Sequence, residues 1–152
     1  MENLLRELKE KGLTLGSVES MTGGLFSAKF TEIPGSSAVF KGGIVTYSSE
    51  EKINIVGVKK ETIDKFGVVS EEVAMEMAEQ GRKLLNVDIC VSVTGNAGPT
   101  VEPGGKPVGC FYVGISSKNG TLAKHFQDSQ KRNVVRNSAV LAMRDLVHLE
   151  TI

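Results

Sequence analysis

The apolar positions of this chain change their spacing several times, and each change predicts an element. Near the start, leucines recur at helical spacing and Gly12 follows them, which predicts a short helix ended by a glycine. Residues 13–18 are apolar and β-prone and predict a strand, while residues 25–30 predict a second helix. Hydroxyls and glycines lie between that strand and that helix, so a strand-to-helix elbow is expected there.

The elbow, residues 18–24, holds the first candidate chemistry. A hydroxyl at the tip of a strand, beside free backbone N–H groups, suits an anion or a developing oxyanion. Ser20 is the candidate nucleophile, and Thr22, Gly23 and Gly24 are candidate substrate-binding positions. An N-cap serine followed by turn glycines produces the same local pattern, so the elbow alone leaves both interpretations open.

Residues 38–47 predict a second strand, which Gly42 and Gly43 interrupt. Adjacent glycines within a strand indicate a bulge, a close approach of the backbone to a ligand, or tight backbone packing. The pattern does not choose between ligand and packing, and both glycines are retained as candidate substrate-binding positions.

A capping-box pattern at residues 48–51 ends this strand at Tyr47 and starts a short helix. Lys52 falls in the first turn of that helix, so we expect Tyr47 and Lys52 to face the same edge of the sheet. Another short helix is predicted over residues 58–66, and Ser70 then caps a long amphipathic helix with acids at its start and basic residues at its end.

Residues 87–93 are nearly all apolar, as in a strand buried on both faces, and they run into Thr94 and Gly95. This strand end is the second candidate ligand edge. The loop that follows is rich in glycine and proline, but its Gly-Lys pair precedes Pro107 instead of serine or threonine. A phosphate-binding P-loop, and with it ATP binding, is therefore rejected.

An Asn-Gly pair at residues 119–120 joins two apolar runs, residues 108–116 and 121–126, and predicts an antiparallel hairpin. Apolar residues at helical spacing then predict a closing helix of about four turns. Arg132 lies at its start, where a cation is unfavourable. That placement invites a functional explanation, although an ordinary solvated arginine is the default interpretation.

The element order predicts an α/β fold, a three-layer α/β/α sandwich with a mixed sheet of about five strands, mostly parallel with one antiparallel. At 152 residues, we expect one domain spanning residues 1–152. Ligands of such sheets bind beyond the carboxyl ends of the parallel strands. Ser20, Tyr47 and Thr94 all lie at such ends.

Composition narrows the function classes. Lys plus Arg and Asp plus Glu both number 18, which disfavours a nucleic-acid partner. The mixed-charge N-terminal stretch is unlike a signal peptide and no apolar run reaches membrane-spanning length, so a cytoplasmic location without membrane association is expected.

Cys90 and Cys110 lie within β-prone runs, as buried reduced thiols would. His125 and His148 are isolated, so no metal site is expected.

Several motifs together resemble the CinA carboxy-terminal domain family. They lie at residues 18–24, 34–37, 42–48 with Lys52, 67–73, 93–99 and 106–109, and cover nearly the whole chain in order. The resemblance implies a three-layer fold and a nicotinamide-nucleotide amidase, which converts nicotinamide mononucleotide, a small pyridine nucleotide, to nicotinic acid mononucleotide and ammonia. It also implies a stand-alone form of a domain found elsewhere behind a molybdopterin-binding-like domain, no metal or organic cofactor, and a homodimer.

The family's functional residues carry over to five positions: Ser20, Tyr47, Lys52, Thr94 and Arg132. Departures from its usual pattern stand at Met21, at Asn96, at residues 130–132, where Gln-Lys-Arg replaces Gly-Asp-Arg, and in the loop of residues 100–105. The substrate preference expected from the family is therefore open to change here.

The residues permit a serine–lysine mechanism, since neither histidine lies in a motif. Lys52 serves as base if burial and a nearby Arg132 lower its pKa from about 10.4 towards 7–8. Tyr47 relays the proton or holds Lys52, Thr94 binds substrate or positions the nucleophile, and Arg132 suits a phosphate.

The sequence allows two other hypotheses. Residues 49–52 match the Ser-x-x-Lys pattern of penicillin-recognising enzymes, but the partner tripeptides of that class are absent. The alternative from another class is a non-catalytic nucleotide-binding or protein-partner module linked to competence or damage response.

Overall fold

A computed structural model describes residues 1–152, and its centre is a five-stranded sheet with the strand order β2-β1-β3-β4-β5. The strands are β1 (Leu15–Glu19), β2 (Phe40–Val45), β3 (Ile89–Gly95), β4 (Cys110–Ser117) and β5 (Gly120–Gln127). β1 pairs parallel with both β2 and β3, while β4 runs antiparallel to its neighbours β3 and β5. The predicted mixed sheet with one antiparallel strand is confirmed.

Helices cover both faces of the sheet. They are α1 (Glu2–Glu10), α2 (Leu25–Thr31), α3 (Ser49–Glu51), α4 (Lys60–Phe66), α5 (Glu71–Leu85) and α6 (Arg132–Thr151). α1, α2 and α6 enclose the larger core on one face, which includes Phe26, Phe30 and Val91. The smaller core lies under α5 on the other face and includes Val18 and Met77. The three-layer α/β/α sandwich is therefore confirmed.

Element boundaries differ from the sequence-based expectation in a few places. β3 extends to Gly95 because Thr94 and Gly95 pair with Tyr112 and Phe111 of the antiparallel β4. α6 has 20 residues, longer than the four turns expected. Lys52–Val56 forms a π-helical turn that continues α3, and Ser36–Ala38 forms a 3-10 turn. No local pattern predicts the π-helical turn, which is a type of helix often found at functional sites.

Gly42 and Gly43 are fitted to their neighbours within β2. A Cβ on Gly43 would lie 2.2 Å from Ser27 Oγ, and one on Gly42 would lie 3.3 Å from the side chain of Leu85. The pairing of β1 with β2 also shifts register between Leu15 and Gly16, as a bulge requires. Of the alternatives left open by the sequence, the structure supports tight packing together with a bulge.

Both cysteines, Cys90 and Cys110, are buried and free, as predicted. His125 contacts Cys110 on the sheet, and His148 pairs with Glu7 on the surface, so both histidines lie in structural contacts. No group of three or more His, Cys, Asp or Glu side chains is arranged to hold a metal ion. None of the helices combines the length and apolar character that crossing a membrane requires.

Candidate active site

Alternation along the strands decides which side chains reach the candidate site. On β1, Val18 points into the core under α5, so Glu19 faces the opposite layer and Ser20 returns to the α5 side. On β3, Ser92 bonds to Ala74 O of α5, and Thr94, two residues later, lies on the same face. The two hydroxyls of Ser20 and Thr94 therefore emerge on one side of the sheet, at the carboxyl ends of adjacent parallel strands.

A cavity of about 660 Å³ opens at this edge. Its lining includes Ser20, Tyr47, Lys52, Thr94 and Gly95, five of the residues singled out from sequence. Two segments complete the walls: residues 65–69, at the end of α4 and in its connection to α5, and part of the loop of residues 100–106. The volume lies within the range of small-molecule sites.

Ser20 and Lys52 are in direct contact at the base of this cavity. Lys52 Nζ lies 2.9 Å from Ser20 Oγ and 2.7 Å from the carbonyl oxygen of Thr46. The Lys52 side chain is 1% exposed, and no carboxylate lies within 4.0 Å of its ammonium. Desolvation by burial lowers the pKa of Lys52 to about 8. The expectation that a nearby Arg132 helps to lower this pKa is wrong, because burial alone causes the shift.

The Ser20 hydroxyl does not cap the following helix. The N-cap of α2 is Gly24, at a φ of 102°, and the helix amides of Phe26 and Ser27 donate to the carboxylate of Glu19 instead. The hydroxyls of Thr22 and Ser27 also donate to Glu19, so this fully buried carboxylate accepts four hydrogen bonds. Helix capping is thus performed by Glu19, and the Ser20 hydroxyl is left for Lys52.

The turn between Ser20 and α2 holds three backbone donors without acceptors. Gly23 N–H donates to Ser20 O, whereas the N–H groups of Met21, Thr22 and Gly24 donate to no backbone acceptor in the chain. Arg136 of α6 holds this turn from outside, since its guanidinium donates to the carbonyl oxygens of Met21 and Thr22. The unpaired amides directly after Ser20 are candidate donors to an oxyanion.

Tyr47 and Arg132 meet beside a second cavity. This cavity, of about 190 Å³, shares Ser20, Tyr47, Gly95 and Asn96 with the larger one and is also lined by Arg132. Arg132 Nη2 donates to Tyr47 Oη at 2.8 Å, and Nη1 donates to Gly98 O at 2.6 Å. Tyr47 is 63% exposed, so its ring stands at the opening where the two cavities meet.

The remaining predicted positions are not brought to the larger cavity. Thr22 is fully buried and its hydroxyl donates to Glu19, Gly23 lies beside Arg136, and Gly24 lies beside Val45. Gly42 and Gly43 lie inside β2 against α2 and α5.

Thr94 does line the larger cavity, and its hydroxyl donates to Val68 O at 2.9 Å, holding the α4–α5 connection against the sheet.

Sequence reasoning assigned no role to several residues that shape the site. Glu19 could have been found, because a carboxylate inside an apolar strand needs partners when buried. Arg136 lies one helical turn after Arg132, and two like charges at this spacing are unfavourable on a helix. This pair is a weaker sign that Arg136 has a specific partner. Lys65 and Lys106 line the larger cavity, but each stands in a polar surface pattern that gives no local signal.

The fold and the site together define a class: a three-layer α/β sandwich with a buried serine–lysine pair at the carboxyl edge of its sheet. The sequence model of the CinA C-terminal domain family matches residues 1–150, and the chain belongs to this family.

Similar proteins carry related names. A putative competence-damage inducible protein of Acetivibrio thermocellus is 46% identical over 92% of this chain and 34% of its own length, and a CinA-like protein of Leptospira borgpetersenii is 52% identical over 82% and 30%. The chain thus spans about a third of these curated relatives. The crystal structure of the competence/damage inducible protein CihA from Agrobacterium tumefaciens has a TM-score of 0.93 at 33% identity, covering 97% of this chain and 91% of that one.

Proposed function

We propose that this chain is an amidase that hydrolyses nicotinamide mononucleotide to nicotinic acid mononucleotide and ammonia. The observation that supports it is the contact of a fully buried, carboxylate-free lysine with the hydroxyl of Ser20. With a pKa of about 8, Lys52 is neutral in about a tenth of molecules at pH 7. A lysine in that state is a competent general base for a serine nucleophile.

The two contacts of Lys52 Nζ suit the neutral amine. Nζ donates to the carbonyl oxygen of Thr46, which orients the nitrogen, and to Ser20 Oγ. When Lys52 loses a proton, the contact with Ser20 reverses, and the lone pair of the amine accepts the Ser20 hydroxyl proton. The arrangement needs neither histidine nor carboxylate. It is consistent with the role that the family resemblance implies for both residues.

The reaction then proceeds in two steps. Ser20 Oγ attacks the carboxamide carbon, Lys52 takes the hydroxyl proton, and the N–H group of Met21, which lines the smaller cavity together with Ser20, receives the oxyanion. Lys52 returns the proton to the departing nitrogen, so the C–N bond breaks, ammonia leaves and an ester forms on Ser20. Lys52 next takes a proton from the water that attacks this ester, and the proton returns to Ser20 Oγ as the acid leaves.

Other residues position these groups. Tyr47, oriented by Arg132, lies at the opening of the cavity, where it either relays a proton or holds the substrate over Lys52. Thr94 and Gly95 form the far side of the same edge. We further propose a cytoplasmic enzyme that works without a metal or organic cofactor, as a single domain in a homodimer.

Ammonia release on adding nicotinamide mononucleotide tests the proposal, with chromatographic detection of nicotinic acid mononucleotide in the same sample. Equal amounts of acid and ammonia are expected. Binding of the nucleotide without turnover would refute the amidase and support a non-catalytic binding module.

A further inference from the structure

Two lysines in the larger cavity have no part in the mechanism above. Lys65 comes from the last turn of α4 and Lys106 from the end of the loop that follows β3, and both line the cavity that contains Ser20. No carboxylate lies within 4.0 Å of either ammonium. Cations without partners in a concave site attract an anion, because the low-dielectric walls concentrate their field.

Neighbouring residues contact the side chain of Lys65 and the backbone of Lys106. Lys65 Nζ lies 5.2 Å from the ring centroid of Phe66, which lines the same cavity. The backbone carbonyl of Lys106 accepts from Asn96 Nδ2 at 3.3 Å, and Asn96 Oδ1 accepts from Gly98 N–H at 3.0 Å. Asn96 directly follows the Thr94–Gly95 edge, so it ties the Lys106 segment to the end of β3.

Arg132, the residue expected to bind a phosphate, is less suited to that role. Two of the five N–H donors of its guanidinium are already engaged, one by Gly98 O and one by Tyr47 Oη. It lines the cavity of about 190 Å³, which is below the usual range for a site that encloses a mononucleotide, and it does not line the larger cavity. Its contacts make it a positioning residue for Tyr47.

We infer that Lys65 and Lys106 form the phosphate subsite of this cavity. The substrate's carboxamide then lies at Ser20, its phosphate lies at the two lysines, and Arg132 contacts Tyr47 instead of the phosphate. Glu102 is the one carboxylate of this lining, and the two lysines outnumber it. The identity of the phosphorylated substrate rests on the proposed function, whereas the anion subsite rests on the cavity itself.

The test compares a substrate with and without its phosphate. We expect Lys65→Met and Lys106→Met each to lower the ratio of kcat/KM for nicotinamide mononucleotide to kcat/KM for nicotinamide riboside by about tenfold, mainly through KM, since each removes one charge-assisted contact. Lys60→Met is the matched control, because Lys60 lies on the same helix, pairs with Asp64 and does not line the cavity. An unchanged ratio in both cavity variants would overturn the subsite.

Binding separates failure of the subsite from failure of the amidase. Calorimetric titration of the unmodified protein with ribose 5-phosphate is expected to show binding that the Lys65→Met/Lys106→Met double variant loses. Lost binding in that variant without turnover by the unmodified protein would refute the amidase and leave the subsite standing. A fall in mononucleotide selectivity on Arg132→Met with none in the lysine variants would place the phosphate at Arg132 and overturn the inference.

Discussion

At the scale of single residues, the chemistry depends on an ammonium buried without a carboxylate. Lys52 is held by a carbonyl and a hydroxyl, and neither compensates a full charge. The result is a lysine whose pKa of about 8 lies near the working range of a general base. The same residues on a solvated helix would leave Lys52 an ordinary surface lysine. The burial of its side chain is therefore what makes a catalytic role physically reasonable.

Ser20→Ala is expected to abolish ammonia release, by about a thousandfold or more, while changing the free energy of unfolding by about 1 kcal/mol or less. The small stability effect follows from the capping of α2 by Glu19 and not by Ser20. Thermal melting and the ammonia assay on the same sample check both parts. A substantial residual rate would remove Ser20 from the nucleophile role.

Lys52→Arg is expected to be nearly as inactive as Lys52→Met. Arginine keeps the charge but stays protonated in proteins, so it cannot accept the Ser20 proton. In the unmodified protein, kcat/KM should rise with pH and level off above about pH 8, because the neutral form of Lys52 is the active one. An active Lys52→Arg protein with an unchanged pH profile would leave Lys52 as an electrostatic group only.

At the scale of elements, the elbow between β1 and α2 is built around a buried carboxylate. Glu19 satisfies the first amides of α2 and so replaces the side-chain cap that Gly24 cannot supply. A negative charge at a helix N-terminus is also favourable. This arrangement fixes the direction in which the chain leaves β1 and, with it, the position of Ser20 above Lys52.

Glu19→Gln is therefore expected to destabilise the fold by about 1–3 kcal/mol, because the amide nitrogen cannot accept the hydrogen bonds that the carboxylate oxygen accepted. Urea unfolding measures this loss. Glu32→Gln is the matched control: Glu32 pairs with Lys29 at the exposed end of the same helix, so its change is expected to stay within about 0.5 kcal/mol. Equal losses in the two variants would contradict the capping role of Glu19.

At the scale of the whole molecule, the site reduces the stability of the fold that carries it. The sheet brings the ends of β1, β2 and β3 together, and the π-helical turn buries Lys52 against them. A folded-state pKa of about 8, below the value of 10.5 for free lysine, means that the unfolded chain binds more protons between these pH values. Stability therefore rises with pH across that window and is lowest, with Lys52 charged and buried, below about pH 8.

Lys52→Met removes this dependence. From about pH 7 to about pH 9.5, the free energy of unfolding of the unmodified protein should gain about 2 kcal/mol relative to Lys52→Met. Urea unfolding of both proteins at each pH isolates the contribution of Lys52, since all other groups are shared. Lys60→Met is the control: the hydrogen bond and ion pair with Asp64 raise the pKa of Lys60 above its ordinary value of 10.5, so its contribution stays constant from about pH 7 to about pH 9.5 and is lost only at higher pH. A pH-independent difference between the unmodified protein and Lys52→Met would refute the desolvated lysine.

The sequence by itself determined the fold class and the order of its elements. Periodicity identifies amphipathic helices and buried strands because side-chain spacing follows backbone geometry, and turn residues such as Asn119 and Gly120 mark the hairpin directly. It also placed Ser20, Tyr47 and Thr94 at the carboxyl ends of strands, which lie together at one edge of a parallel sheet. These features depend on local patterns and on general rules of α/β topology.

Only the tertiary structure decided which groups meet and in what environment. The contact of Lys52 with Ser20 joins residues 32 positions apart, and the depth of burial that lowers the pKa of Lys52 depends on every element packed around it. The packing of Gly43 against Ser27 and the contact of Arg132 with Tyr47 depend likewise on distant segments. Desolvation and long-range contact belong to the assembled chain, so no local pattern encodes them.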